Sequence, residues 1–231
     1  MTLATAPPSS DIVLAITGGS GAPIAIRLLD VLLDAGATVH LVLSPAAAHV
    51  CHEELGITLD VEDRDFDLSS LVADTDREPA SLFLRPTPAI ARVAAEKSDR
   101  LKVWHRTDFG SPIASGSFRT RAMVACPCSM GSTAAIAHGF TENLVHRAAH
   151  VHLKERRPLI LVPREAPLPT IALRNLTTLS EAGATIVPAA PGWYHEPRDM
   201  RDLVDFVVAR IVDLLGVDRE LMTRWGSEPA G

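Results

Sequence analysis

The chain has 231 residues, 47% hydrophobic and 22% charged, with a formal net charge of −6. This is enough apolar material for a sizeable core, and the acidic balance makes nucleic acid or an anionic membrane a poor match as main partner. Cys51, Cys126 and Cys128 give neither a disulfide framework nor a spaced zinc quartet, and no apolar run nears the ~20 residues of a membrane span, so a metal-free cytoplasmic protein is expected.

Residues 1–10 lack the cationic start and apolar run of a signal peptide and are expected to be a loose tail. Asp11–Thr17 is a short apolar strand, followed by the loop Gly18-Gly19-Ser20-Gly21-Ala22-Pro23. Ile24–Ala35 places Ile24, Leu28, Val31 and Leu32 on one helical face, and Gly36 ends it. Thr38–Leu43 is a second strand. Ser44-Pro45 then supplies an N-cap and a proline at the first helical position, opening a helix to about Leu55. Strand, loop, helix, strand and helix in that order begin a parallel sheet with right-handed crossovers.

Residues 60–110 are rich in Asp, Arg, Pro and Ser and are expected to form an insertion, with a short helix at Ile90–Glu96. Ala122–Ala125 is a third core strand, with a helix from about Ser132 and another over Thr141–Leu153. Leu159–Val162 is the next strand, Thr170–Ala182 a helix and Ala184–Val187 a last strand. The loop Pro188–Pro197 carries Trp193, Tyr194 and His195, and Met200–Leu215 is an amphipathic helix closed by Gly216. Residues 218–231 read as a tail with Trp225 as apolar anchor. The predicted fold is one three-layer αβα domain over 11–217, Rossmann-like or flavodoxin-like, with the insertion at about 60–110.

The chemistry-bearing residues cluster after strands. Glycines between a strand and a helix allow close backbone approach, and the helix N-terminus offers free N–H groups to an anion, so Gly18-Gly19-Ser20-Gly21 is either an anion loop or a tight structural turn. It is not a dinucleotide fingerprint, because Pro23 interrupts the glycine spacing. Ser44, Ser129 and Ser132 would face the same sheet edge, each as a helix cap or a ligand hydroxyl. Arg164-Glu165 ends the apolar run Pro158–Val162, giving either a salt-bridged turn or an anion clamp beside an acid. Arg210, within Val207-Val208-Ala209-Arg210-Ile211-Val212, reads as a buried cation in need of an anion. Glu54 reads as an exposed helix acid, Arg147 and Lys154 as one cationic helix face, and Tyr194 as a loop-packing residue or a phosphate donor.

As a set, these segments resemble the flavin prenyltransferase family of the UbiX/Pad type. The matching pieces are Thr17–Pro23, Ser44 with its alanine run, Ser111-Pro112-Ile113-Ala114-Ser115-Gly116-Ser117-Phe118, and Pro127-Cys128-Ser129-Met130-Gly131-Ser132. They continue with the block Asn143 to Pro167 and with Tyr194-His195-Glu196-Pro197. The resemblance implies a metal-independent transferase that joins the dimethylallyl unit of dimethylallyl phosphate to N5 and C6 of reduced FMN. It also implies a homo-oligomer, commonly a dodecamer, whose product serves a UbiD-type decarboxylase. Carried over by position, Gly18, Gly19, Ser20, Ser44, Ser129, Met130, Gly131, Ser132 and Arg164 would hold FMN. Arg147, Lys154, Arg164, Tyr194 and Arg210 would surround the prenyl phosphate. Glu165 would protonate the leaving phosphate, while Ser20 and Glu54 would assist the later proton removal.

Gly19 stands where the family has Ala, Ser132 where Thr is common and Pro45 where Lys is frequent, and the 60–110 region is longer than the motif spacing implies. Two other readings share the fold: a flavin-dependent cysteine decarboxylase, against which the lack of Asn after Ser129 speaks, and a non-catalytic FMN carrier or decarboxylase subunit.

Overall fold

The computed structural model describes residues 10–223. Six strands form one parallel sheet: β1 (Asp11–Ile16), β2 (Thr38–Leu43), β3 (Leu101–Trp104), β4 (Ala122–Cys128), β5 (Leu159–Pro163) and β6 (Thr185–Ile186), in the order β3-β2-β1-β4-β5-β6. The helices are α1 (Ala22–Asp34), α2 (Pro45–Leu55), α3 (Ala80–Phe83), α4 (Pro88–Ala95), α5 (Met130–Ala137), α6 (Leu144–Lys154), α7 (Thr170–Glu181) and α8 (Met200–Leu215). Alternate residues of β1 divide the core into two layers. Ile12, Leu14 and Ile16 pack with α1, α4 and α8, whereas Val13 and Ala15 pack with α6 on the other face. The strand order reverses between β1 and β4, so the crevice at their carboxyl ends is where such a sheet takes a ligand.

Several boundaries follow directly from caps. Ser44 Oγ accepts from Ala47 N at 3.1 Å and Pro45 opens α2. Asp199 accepts from Arg201 N and Asp202 N at the start of α8, and Gly216, at φ 61°, ends it. The helix expected from Thr141 begins instead at Leu144, because Asn143 Oδ1 takes His146 N at 3.0 Å.

The stretch 60–110, expected as an insertion, is built into the sheet and the core. It supplies β3, paired with β2 from Val39↔Leu101 to Val42↔Trp104, and it buries Leu71, Leu84, Ile90, Val93 and Leu101 in the α1-side core. Its fastenings are acidic. Asp30, 3% exposed, accepts from Ala89 N and Ile90 N at 2.9 and 3.1 Å and so caps α4 from a distance. Burial holds its carboxyl above the usual carboxylate range despite those donors. Asp205 on α8, 4% exposed, receives Arg27 Nε at 2.7 Å and Arg85 Nε at 3.0 Å, and Arg85 also reaches Asp202 at 2.5 Å. One ionic cluster therefore joins α1, the 60–110 stretch and α8.

At the C-terminal side, Leu221 and Met222 pack on the α1-side core. Trp225 lies outside the described residues. Among the described residues, no helix is long and apolar enough to cross a membrane.

Candidate functional site

Thr17 joins the two loops that flank the reversal point. It is 2% exposed; its N and Oγ1 both donate to Pro127 O, at 3.2 and 2.8 Å, and its Oγ1 accepts from Ser129 N at 2.7 Å. Ser20 after β1, Ser44 after β2, Ser129 after β4 and Arg164 after β5 consequently stand along one carboxyl edge. The sequence places Thr17 at a strand end and at the head of the segment Thr17–Pro23 without giving it a role, since a bond spanning 110 positions leaves no local trace.

The glycine loop does not offer α1 to an anion. Glu54, half-buried rather than an exposed helix acid, accepts from Gly21 N at 2.9 Å and Ala22 N at 2.8 Å. A carboxylate of the chain itself therefore neutralises that helix N-terminus. Gly18 is required for packing, since an added Cβ would lie 2.5 Å from Ala46 Cβ. Gly19 has more room, with Pro127 Cβ at 3.4 Å.

The N-terminus of α5, directly after β4, is open. Ser129 Oγ accepts from Ser132 N at 3.2 Å and lies 3.1 Å from Ser132 Oγ, capping α5. Met130 is half-buried and Gly131 exposed, with nothing within 4 Å of a built Cβ. An anionic group can thus reach the first turn of α5 and two hydroxyls beside it. Arg164 and Glu165 are both exposed at the end of β5. Among the described residues no ion pair joins them, and Glu165 Oε1 instead accepts from Ala166 N at 3.3 Å. The salt-bridged turn is thereby set aside. Cys126 and Cys128 beneath this edge are fully buried; burial pushes the Cys128 thiol up to about 12 and Cys126 higher still, so neither is a thiolate at neutral pH.

The residues expected around a prenyl phosphate are not gathered within one chain. Leu144 N donates to Arg106 O at 2.7 Å, just past the carboxyl end of β3, so α6 begins at the carboxyl edge. Near its other end His152 pairs with Thr120, just before β4. Lys154, the last residue of α6, therefore lies at the amino edge, about 15 Å of helix from Leu144. There it is ion-paired with Glu155. Arg147, nearer the carboxyl edge, donates through Nε to Ala114 O at 2.9 Å.

Tyr194, in the loop before α8, and Arg210, on α8, line one cavity of about 150 Å3 whose other walls are Ala209, Asp213, Arg219, Glu220, Leu221 and Met222. Arg210 is not the buried cation the apolar run suggested. Its side chain is 55% exposed and Nη1 meets Asp213 Oδ2 at 3.1 Å, because position 210 falls on the outer face of α8.

A parallel sheet with serines and an open helix N-terminus at its reversal point defines an α/β ligand-binding protein of the flavoprotein class, and the chain belongs to the flavoprotein family, whose model matches residues 3–212. Within it the chain sits with the UbiX-type enzymes. It is 43% identical over 217 residues to the flavin prenyltransferase UbiX of Pseudomonas aeruginosa, covering 94% of each chain. The crystal structure of AnUbiX (PadA1) in complex with FMN and dimethylallyl pyrophosphate matches with a TM-score of 0.75 and 34% identity, covering 96% of this chain and 100% of that one. A dodecameric FMN-dependent UbiX-like decarboxylase from Escherichia coli O157:H7 matches with a TM-score of 0.73 and 34% identity, covering 94% and 100%.

The residues present fit FMN. The open first turn of α5 with Ser129 and Ser132 suits its phosphate, and Ser20, Ser44 and the exposed Arg164 line the same edge.

Proposed function

We propose that the protein is a flavin prenyltransferase, transferring the dimethylallyl group of dimethylallyl phosphate or pyrophosphate to reduced FMN. The observation that carries this reading is Arg164-Glu165 standing exposed at the end of β5, on the same edge as the open first turn of α5. FMN, when bound in its reduced form, supplies the electron-rich N5 and C6 positions that accept the prenyl unit. Ser129, Met130, Gly131 and Ser132 hold its phosphate, and Gly18, Gly19, Ser20 and Ser44 line the rest of the cofactor. Arg164 bridges cofactor and prenyl phosphate. Glu165 delivers a proton to the departing phosphate, which with the surrounding cations favours breaking of the allylic C–O bond. Glu54 is fixed by its bonds to Gly21 N and Ala22 N, the residues that follow Ser20, and with FMN bound Ser20 and Glu54 would together take up the proton that the prenylated flavin gives up.

Lys154 lies at the amino edge and Tyr194 with Arg210 on the outer side of α8. A homo-oligomer that brings these residues from neighbouring copies to the Arg164–Glu165 edge reconciles the roles with the fold, and Arg147 joins them there. Exposed Phe140, Ile171 and Leu173, 57%, 67% and 48% accessible, support such contacts. The dodecamer is the assembly we propose, with a UbiD-type decarboxylase as consumer of the prenylated FMN, in the cytoplasm.

Anaerobic incubation with reduced FMN and each prenyl donor, followed by mass spectrometry of the extracted flavin, tests the reading. An unchanged flavin mass with both donors refutes it. Glu165→Gln should bind FMN normally and lose most turnover, about 100-fold or more. A carrier would be indifferent to that change.

A further inference from the structure

The turn Ser115-Gly116-Ser117 lies against the end of α6, and Gly116 is bare where two side chains meet. A Cβ built on Gly116 would stand 2.6 Å from Lys154 Nζ and closer still to Glu155 Oε1. Gly116 does not have the positive φ of Gly36 or Gly183, so the position uses the missing side chain rather than backbone freedom. The turn itself is fixed. Ser115 Oγ and Ser117 Oγ are 2.9 Å apart, and Arg157 donates to Phe118 O at 2.6 Å and to Gly116 O at 2.5 Å. Lys154 and Glu155 form their ion pair directly over this turn. The bond to Lys154 and the nearby charge of Arg157 hold the Glu155 carboxyl below the usual carboxylate range. The two Arg157 bonds go to neutral carbonyls, so two cations stand against one carboxylate and the spot stays cationic. A lysine already held in one place loses less freedom on meeting an anion than one that swings free.

Building on the prenyltransferase reading, in which Lys154 meets the prenyl phosphate held at a neighbouring copy, we infer that Glu155 and Gly116 form a holder that fixes the Lys154 ammonium for that phosphate. Glu155 is a positioning residue, acting through Lys154 and not on the donor. Gly116 leaves the space in which the pair lies. Arg157 keeps the turn beneath it in place and offsets the charge of the Glu155 carboxylate, so the ammonium is steadied without being neutralised.

The test is calorimetric binding of dimethylallyl phosphate to the full-length, FMN-loaded protein, run beside the prenylation assay. Glu155→Gln should weaken the donor about 3- to 5-fold, with FMN affinity unchanged. Gly116→Ala pushes aside the ends of two flexible side chains rather than backbone, so it should melt near wild type and weaken the donor at least as much as Glu155→Gln. In a Lys154→Ala background each of these changes should move donor affinity by less than about 1.5-fold, because the group they position is gone. The inference is overturned if Glu155→Gln tightens the donor, as the loss of a competing carboxylate would, or if it stays within about 1.5-fold of wild type. It is equally overturned if the effect persists undiminished without Lys154, or if FMN affinity falls in parallel. Wild type that binds the donor but leaves the flavin unchanged sinks the prenyltransferase reading, while the donor affinities still decide the holder. Wild type that prenylates while Glu155→Gln binds the donor normally removes the holder alone, and wild type that binds no donor removes both.

Discussion

Removing the Glu54 carboxylate should destabilise the fold by an amount that its hydrogen bonds define. Glu54 Oε2 accepts from Gly21 N and Ala22 N at 2.9 and 2.8 Å, satisfying N–H groups at the start of α1 that have no partner within the helix. Bonds to a charged acceptor contribute about 1.5–3 kcal/mol each when desolvated, and a charge at a helix N-terminus adds about 0.3–1 kcal/mol. The site is half-buried, so water recovers part of the loss, and Glu54→Ala should cost about 2–3 kcal/mol. In a domain of this size that is a drop in Tm of roughly 4–12 °C by differential scanning calorimetry. Glu54→Gln keeps an acceptor and should lose only about 1 kcal/mol. The Ala variant also leaves the helix N-terminus free for an anion, so phosphate at constant ionic strength should raise its Tm more than that of wild type. Melting of Glu54→Ala within 1 °C of wild type, on a scale where each kcal/mol moves about 2–4 °C, would refute the capping role. So would equal stabilisation of both proteins by phosphate.

Other measurements address the rest of the molecule. Burial lowers the His152 pKa from 6.5 to about 4, while Nδ1 donates to Ala148 O and Thr120 Oγ1 meets Nε2. The unfolded chain therefore takes up the proton first as the solution is acidified. This stabilisation is whole above 6.5 and is lost as pH falls toward 4. The loss in unfolding free energy from pH 7 to pH 5 should be about 2 kcal/mol smaller in His152→Gln than in wild type, and parallel pH slopes would contradict it. Asp205→Ala removes the carboxylate that Arg27 and Arg85 share, leaving them only Asp30 and Asp202, and should cost about 2–3 kcal/mol in urea unfolding. Arg85→Met should cost less, because the Arg85 side chain is 41% exposed; equal losses would dispose of the buried-carboxylate account. Gly18→Ala, which would press a methyl to 2.5 Å from Ala46 Cβ, should lose about 1–3 kcal/mol. Gly19→Ala, meeting Pro127 Cβ at 3.4 Å, should melt close to wild type. Equal damage at the two positions would show that loop packing does not distinguish them.

What the sequence disclosed was local. β1, β2 and α8 are apolar runs with clear periods, and Ser44-Pro45 and Gly216 mark helix ends in their own residue types. β3 was hidden because its four residues, Leu101–Trp104, show little apolar pattern inside a polar stretch and gain their strand identity from pairing with β2. Asp30 and Asp205, single acids inside apolar helical runs, did leave a visible signal of buried polar partners. The site residues were legible as types after strands, but not their mutual distances. Arg147 and Lys154 share a helix face at seven-residue spacing, yet the spacing does not say that α6 spans the sheet from one edge to the other. Arg210 misled because five apolar neighbours concealed that the helix turns this one position outward.

The separation of Lys154 from Arg164 by the length of α6 has a consequence at the level of the cell. If each reaction centre borrows side chains from neighbouring copies, catalytic capacity scales with a power of chain abundance rather than in proportion to it. Halving the number of chains near the assembly threshold would then cut output by far more than half, with every remaining chain still folded. Activity measured per chain on serial dilution would fall while its secondary structure stayed intact.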